Sequence, residues 1–180
     1  MKLSPLNTMK SKYEDMNHDK IISYLAGLFD GEGSFSIQVH IRSYGFENKF
    51  YVNIGPKMTM SLRDGHEVLE LLQQTFGGQI YKYKDETWRW NLSKKQSILN
   101  AVEELLPYLR IKKQIAEQFI EGVKLIPGMQ DRKGRQRRRL TEETAIKLAE
   151  IALSLNPESA RRTIELLPKK LEKIKEVYKI

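Results

Sequence analysis

Apolar residues recur at helical spacing near the start of the chain. Ile21, Ile22, Leu25, Leu28 and Phe29 form one stripe behind Asp19, a residue type that caps helix N-termini. Gly27 and Gly31 stand four apart on this predicted helix, with Ala26 beside them, and Gly33 ends it. Glycines inside a helix cost roughly 1 kcal/mol each relative to Ala. They make sense where a second backbone approaches closely along that face. From Ser34 the period changes to two. Phe35, Ile37, Val39 and Ile41 alternate with Ser36, Gln38, His40 and Arg42, as in a strand buried on one side. After the turn SYGFEN the alternation resumes, with Val52, Ile54, Met58 and Met60 against Asn53, Lys57 and Thr59. Pro56 there argues for an edge or a bulge.

A second cycle follows. Asp64 is placed to cap a helix through Val68, Leu69, Leu72 and Phe76, stopped by Gly77 and Gly78. QIYKYK and TWRWNL then make a second hairpin. Trp88, Trp90 and Leu92 read as its core side, and Arg89 and Asn91 as its polar side. In QIYKYK either the tyrosines Tyr81 and Tyr83 or the lysines Lys82 and Lys84 face the polar side. A helix from Ser93 to about Leu106 ends at Pro107, and RIKKQIAEQFIEGVKLI supplies another. The predicted order is α-β-β-α-β-β-α, an antiparallel α+β layout with one sheet face free for a ligand. Beyond Pro127 come a basic run, DRKGRQRRR, and two amphipathic helices beginning near Thr141 and Asn156. The expected organisation is a polar tail (1–18), a core (19–127), a basic linker or arm (128–140) and a helical appendage (141–180).

Composition narrows the function classes. The 180 residues carry no cysteine, which excludes a disulfide-stapled module and thiol chemistry. No apolar run is long enough for a signal peptide core or a membrane span, so the protein is expected inside the cell, in the cytoplasm or an organelle. The net charge of +8 and a pI near 9.5 point to a polyanionic partner, nucleic acid before membrane. His18, His40 and His66 have no metal-ligand spacing, so no zinc site is indicated.

The stretch LAGLFDGEGSF, Leu25 to Phe35, raises a chemical question. A helix C-terminus carries partial negative charge, yet Asp30 and Glu32 sit there. A compensating cation is expected.

LAGLFDGEG resembles the defining motif of the LAGLIDADG homing endonucleases, with Phe, Gly and Glu where the family name has Ile, Ala and Asp. The element order over about Asp19–Ile126 is similar as well. The motif occurs once, and single-motif members of the family act as homodimers. The resemblance therefore implies that the glycine-bearing helices of two subunits pack together through Ala26, Gly27 and Gly31, bringing two copies of Glu32 side by side. It also implies that Mg²⁺ is the missing cation, held by Glu32 and the Gly31 carbonyl, for hydrolysis of one DNA phosphodiester per subunit. Asp30, the first acid of the motif, is expected to shape the turn and the local charge. PYLRIKKQIA resembles the segment that supplies a basic residue near the scissile phosphate, which falls on Lys112. The family's polar group at the end of the second strand falls on Met60 or Ser61, a departure, with Arg63 as the nearest basic substitute.

In the family the sheet lies in the major groove of double-stranded DNA. The expected readers are then Ser36, Gln38, His40, Arg42, Asn53, Lys57, Thr59, Arg89 and Asn91, with Lys82 and Lys84 on the third strand. Arg135, Arg137, Arg138 and Arg139 of the basic run are expected on phosphates. A homodimer implies a near-palindromic target, and a free-standing chain implies intron encoding. An RNA-binding maturase acting on intron RNA, or a non-cleaving DNA-binding regulator, would use the same fold without needing Glu32. The presence of Glu32 and Lys112 favours the nuclease.

Overall fold

The computed structural model describes residues 13, 16–44, 49–83, 85–127, 141–155 and 172, with the side chains of 39–44, 49–53 and 142 left out. In chain order the elements are α1 (His18–Glu32), β1 (Gly33–Tyr44), β2 (Lys49–Leu62), α2 (His66–Phe76), β3 (Gln79–Lys82), β4 (Trp88–Leu92), α3 (Lys95–Leu105), α4 (Lys113–Leu125) and α5 (Glu142–Leu155). The strands form one sheet in the order β1-β2-β4-β3. The α+β class and the predicted element order both hold. No helix among the described residues is long and apolar enough to cross a membrane.

Two helix starts differ from the sequence reading. Asn17, not Asp19, caps α1, its side-chain oxygen accepting the Lys20 N–H at 3.0 Å. Asp19 falls in the first turn, where its charge favours the helix dipole. At α2 the N-cap is Gly65, in the left-handed region at φ 92, and Asp64 is left exposed. Thr141 does cap α5, accepting the Thr144 N–H at 3.2 Å. The third helix begins at Lys95, two residues after Ser93.

The chain divides into two compact units. The first comprises the described parts of 1–34, 58–92 and 96–114. In it β2 and β4 pair with Met60 opposite Trp90 and Ser61 opposite Arg89, while Tyr81 of β3 lies opposite Arg89 from the other side. Alternation then sorts the two faces. Met58, Met60, Trp90 and Leu92 are buried on one side; Thr59, Ser61, Arg89, Asn91, Gln79 and Tyr81 lie on the other. α2 covers the apolar face. The Trp90 indole N–H donates to the Gly77 carbonyl at 2.8 Å, and the His66 ring lies 4.1 Å from that of Trp88. Gly78, at φ 99, is required here, since a Cβ would come within 2.7 Å of the Asn91 carbonyl oxygen.

The second unit comprises the described parts of 35–57, 93–95 and 115 onwards. Phe35 of β1 meets Phe119 of α4 at a ring distance of 5.1 Å. Gly122 lets β1 and α5 close onto α4, because a Cβ there would fall 2.4 Å from Ile37 Cδ1 and 3.1 Å from Ile151 Cγ2. α5 thus packs into this core, burying Ala145, Leu148 and Ala149. Pro56 sits in an interior strand, but the β2–β4 register covers only Met58–Leu62. Its missing N–H therefore costs that ladder nothing.

Candidate active site

The helix stripe that builds α1 also decides what its last turn does. Ile22, Leu25, Ala26, Phe29 and Asp30 are its buried residues, at spacings of 3, 1, 3 and 1. A carboxylate thus occupies the last position of an apolar stripe, where it must find internal donors. Asp30 is only 8% exposed, and it finds three. Its Oδ2 accepts the backbone N–H groups of Arg110 (2.7 Å) and Ile111 (3.2 Å), and its Oδ1 accepts that of Lys112 (2.9 Å). These N–H groups immediately precede α4. Burial alone would raise the Asp30 pKa, but the three N–H bonds and the nearby Lys112 charge together hold it below the ordinary value.

Lys112 answers from the other side. Its ammonium donates to the carbonyls of Phe29 (3.1 Å), Asp30 and Gly31 (3.2 Å), the groups that the end of a helix leaves without partners. Two segments about eighty residues apart therefore clamp each other: the carboxylate of one holds backbone donors, and the ammonium of the other holds backbone acceptors. The compensating cation at this helix end is Lys112. Burial of the ammonium lowers its pKa, while Asp30 and Glu32 pull it upward.

Glu32 behaves differently from Asp30. It is exposed and takes part in no hydrogen bond or ion pair among the described residues. Immediately after it the chain passes into β1 across the Phe29 ring. The Gly33 N–H donates to the Phe29 carbonyl, and a Cβ on Gly33 would lie 2.3 Å from that ring. Only glycine permits this exit, which leaves Glu32 projecting at the corner.

A divalent ion can be tested against these groups. Among the described residues no cluster of three His, Cys, Asp or Glu side chains forms. The hard oxygen donors available are the free Glu32 carboxylate and the Gly31 carbonyl, which already accepts from Lys112. That set fits an ion such as Mg²⁺, which keeps several waters and takes one or two carboxylates together with substrate phosphate. It does not fit an ion caged wholly by one chain.

The other predicted site residues are less concentrated. Arg63 follows β2, exposed, its charge felt by Asp85, and no described contact joins it to Lys112 or Glu32. At the end of β2 Met60 is core and Ser61 is on the polar face, where its hydroxyl accepts from Arg89 Nε at 2.7 Å. On α1, Gly27 and Gly31 are exposed with nothing within 4 Å of the position a Cβ would take. Ala26 is fully buried within its own chain, so the helical turn removes it from that face, a correction to the predicted set.

On the sheet, Thr59, Arg89 and Asn91 share the polar face as expected. The register places Tyr81, not Lys82, beside Arg89. Lys82 lies opposite Trp88, 5.5 Å above its ring and paired with Glu86, on the face away from Arg89, which corrects its assignment. Gln38 is exposed, and Ser36 is half-buried, donating to the Lys57 carbonyl at 3.4 Å. The side chains of His40, Arg42, Asn53 and Lys84, and the whole of Arg135, Arg137, Arg138 and Arg139, lie outside the described residues.

The family model described as LAGLIDADG endonuclease matches residues 25–121, more than half of the chain. No curated protein matches it significantly. Among solved structures, the homing endonuclease I-TnaI superposes with a TM-score of 0.65 at 24% identity, over 85% of this chain and 97% of that one. I-CvuI, in complex with a DNA target in the presence of Mg, gives 0.61 at 22% identity, over 77% and 82%. The archaeal intron-encoded I-Vdi141I, complexed with DNA, gives 0.61 at 20% identity, over 79% and 86%. At these identities the structural likeness is one of fold. The matched segment runs from the first residue of LAGLFDGEG through the whole clamp to the middle of α4, and the chain belongs to the LAGLIDADG endonuclease family.

Proposed function

We propose that this DNA endonuclease is site-specific, works as a homodimer on a near-palindromic duplex, and uses Mg²⁺ bound at Glu32. The observation that carries the reading is the contrast within one helix turn. Asp30 spends its charge on three backbone donors, whereas Glu32 is exposed, has no hydrogen-bond or ion-pair partner among the described residues and is held within the field of Lys112. A carboxylate kept free in that place is available to a ligand.

One such acid per chain is an incomplete set, which supports assembly of two copies. The exposed Gly27–Gly31 face of α1, with Tyr24 at 38% exposure near its start, offers the second backbone a place to approach. Glu32 of each chain, with the Gly31 carbonyl, would hold the metal ion. When bound, such an ion activates water and stabilises the leaving oxygen in phosphodiester hydrolysis.

The chain's own residues supply position and charge. Lys112 keeps its ammonium on three carbonyls, so it acts as a fixed positive charge beside Glu32, where negative charge develops on a reacting phosphate. Asp30 fixes the backbone that carries Lys112. Gly33 directs the chain away, and Glu32 is exposed among the described residues. I-Vdi141I is intron-encoded, and we extend that origin to this protein.

The test is a selection from randomised near-palindromic duplexes, binding in Ca²⁺ and then adding Mg²⁺, with Glu32→Gln in parallel. Cleavage on both strands by the wild type, with Glu32→Gln binding but not cutting, is the expected result. Binding without cleavage by either protein overturns the nuclease assignment in favour of a regulator. Enrichment of no duplex overturns the assignment of DNA as ligand.

A further inference from the structure

The polar face of the second hairpin holds a side chain that is already set in position. Arg89 sits in β4, the strand between β2 and β3, with Ser61 opposite on one side and Tyr81 opposite on the other. Its Nε–H donates to the Ser61 hydroxyl at 2.7 Å, and its Nη1–H donates to the Tyr83 hydroxyl at 3.3 Å. The guanidinium carbon lies 4.8 Å from the centre of the Tyr83 ring, within cation–π range. Two neighbours, Ser61 at the end of β2 and Tyr83 just past β3, thus fix one guanidinium through three contacts.

A surface arginine ordinarily carries rotamer entropy that any ligand must overcome to hold it. Here the protein has met that cost itself, and preorganisation of this kind matters for recognition that depends on geometry. A guanidinium has five N–H groups. Two are spent on Ser61 and Tyr83, and the remainder have no acceptor among the described residues. They lie on the polar face that Arg89 shares with Ser61 and Tyr81. A flat, half-exposed guanidinium fork suits the edge of a base, and the paired acceptors that match it are O6 and N7 of guanine in the major groove. A phosphate matches the same fork, but a phosphate contact carries no base preference, so sequence dependence separates the two.

We propose that Arg89 reads a guanine in each half-site of the DNA target, with Ser61 and Tyr83 as the residues that aim it. This rests on the reading that the protein binds duplex DNA through this sheet face. It also assigns the end of β2 a role: Ser61, one of the two positions on which the family's polar group falls, acts there by orienting Arg89.

The experiment takes the full-length protein in Ca²⁺, so that binding is read without cleavage. Relative affinities are measured for the selected duplex and for every single base-pair change within one half-site, made symmetrically. Wild type, Arg89→Ala, Ser61→Ala and Tyr83→Phe are compared, each checked by thermal melting. The wild type is expected to prefer G·C at one symmetric pair of positions. Arg89→Ala erases that preference, weakening the selected site about ten- to a hundredfold, and leaves the preferences elsewhere unchanged. Ser61→Ala and Tyr83→Phe reduce the preference at the same positions by smaller factors.

An Arg89→Ala protein that binds all sequences equally more weakly, with a shallower salt dependence, would show a phosphate contact and overturn the inference. So would a lost preference for a base other than guanine, or an intact preference in Ser61→Ala and Tyr83→Phe together. Should Arg89→Ala fail to fold, the two milder variants decide the matter alone. A wild type that selects a sequence while all variants share its preferences refutes this inference only. A wild type that selects no duplex refutes the proposed function, and this inference with it.

Discussion

Two lysines in this molecule occupy the same kind of position and differ in what surrounds them. Lys95 donates its ammonium to the carbonyls of Lys124 (3.2 Å) and Ile126 at the end of α4. Lys112 donates to three carbonyls at the end of α1. Both have pKa values lowered by burial. At α4 no charge among the described residues opposes that lowering; at α1 Asp30 and Glu32 do. A cation on a helix C-terminus is therefore a general solution that this fold uses twice, and it is no sign of chemistry by itself. What separates the two ends is the pair of acids. One of them, Asp30, belongs to the clamp. The other, Glu32, attracts Lys112 but makes no hydrogen bond or ion pair among the described residues, and the active-site assignment rests on this surplus.

The strongest way to break the comparison is to remove the surplus acid. Glu32→Gln is expected to lower the cleavage rate by about a thousandfold or more, in the range of losing a principal electrostatic group. Duplex affinity in Ca²⁺ should change by a few-fold at most, and the melting temperature should hold. Single-turnover cleavage with a parallel binding titration reads both. A cleavage rate within tenfold of wild type would place the chemistry elsewhere.

Removing the clamp acid acts on stability first. Asp30→Ala leaves three backbone N–H groups without their acceptor in a largely buried place, and is expected to cost about 2–4 kcal/mol in urea unfolding. Asp30→Asn retains one acceptor oxygen and costs less. The pH dependence follows from the lowered carboxyl pKa. The charged form is favoured in the folded state, so its contribution is fully present above the unfolded value of 3.8 and is lost as pH falls through the lower folded value. Wild type therefore loses stability on acidification in that range, and Asp30→Asn loses less.

Much of this arrangement was legible in the sequence, and the parts that were not share a physical cause. Periodicity gave the α-β-β-α-β-β-α order because each element buries one face, and burial writes a period of 3.6 or 2 into the chain. The same stripe held a clue to Asp30: counting 22, 25, 26, 29 places position 30 on the buried side. The partners of that carboxylate could not be read there, since they are backbone N–H groups at 110–112 that tertiary structure alone brings near. Short strands were the weak point. In QIYK both the tyrosine and the lysine series can border an aqueous face, and only pairing with Arg89 and Trp88 decides between them. Caps shifted by one or two residues for a similar reason. Asn17 and Asp19 are both good capping types, and so little free energy separates the choices that neighbouring packing settles them.

The sharpest form of the comparison substitutes each lysine in turn. Lys95→Met and Lys112→Met each keep an aliphatic stem and remove the charge from a helix end, and each is expected to cost about 1–2 kcal/mol of stability. Only Lys112→Met should also slow cleavage, by about a hundredfold, through loss of the fixed charge beside Glu32. Equal slowing by both would mean that cleavage tracks stability, and the distinction between the two helix ends would fall.

The smallest effect isolates the acids from the cap. Both lysines have folded-state pKa values below the ordinary 10.5, so between the folded and unfolded values the unfolded chain binds more protons. Stability contributed by these sites therefore rises with pH across that window. Glu32→Gln removes one of the two charges that raise the Lys112 pKa and leaves the surroundings of Lys95 as they were. Lys112 should then titrate at lower pH while Lys95 is unmoved, a difference that side-chain NMR of the two ammonium groups can follow. A parallel shift in both would show a change of overall charge rather than a local field. A shift confined to Lys112 ties the free carboxylate electrostatically to the lysine that closes α1, which is the coupling that α4 lacks.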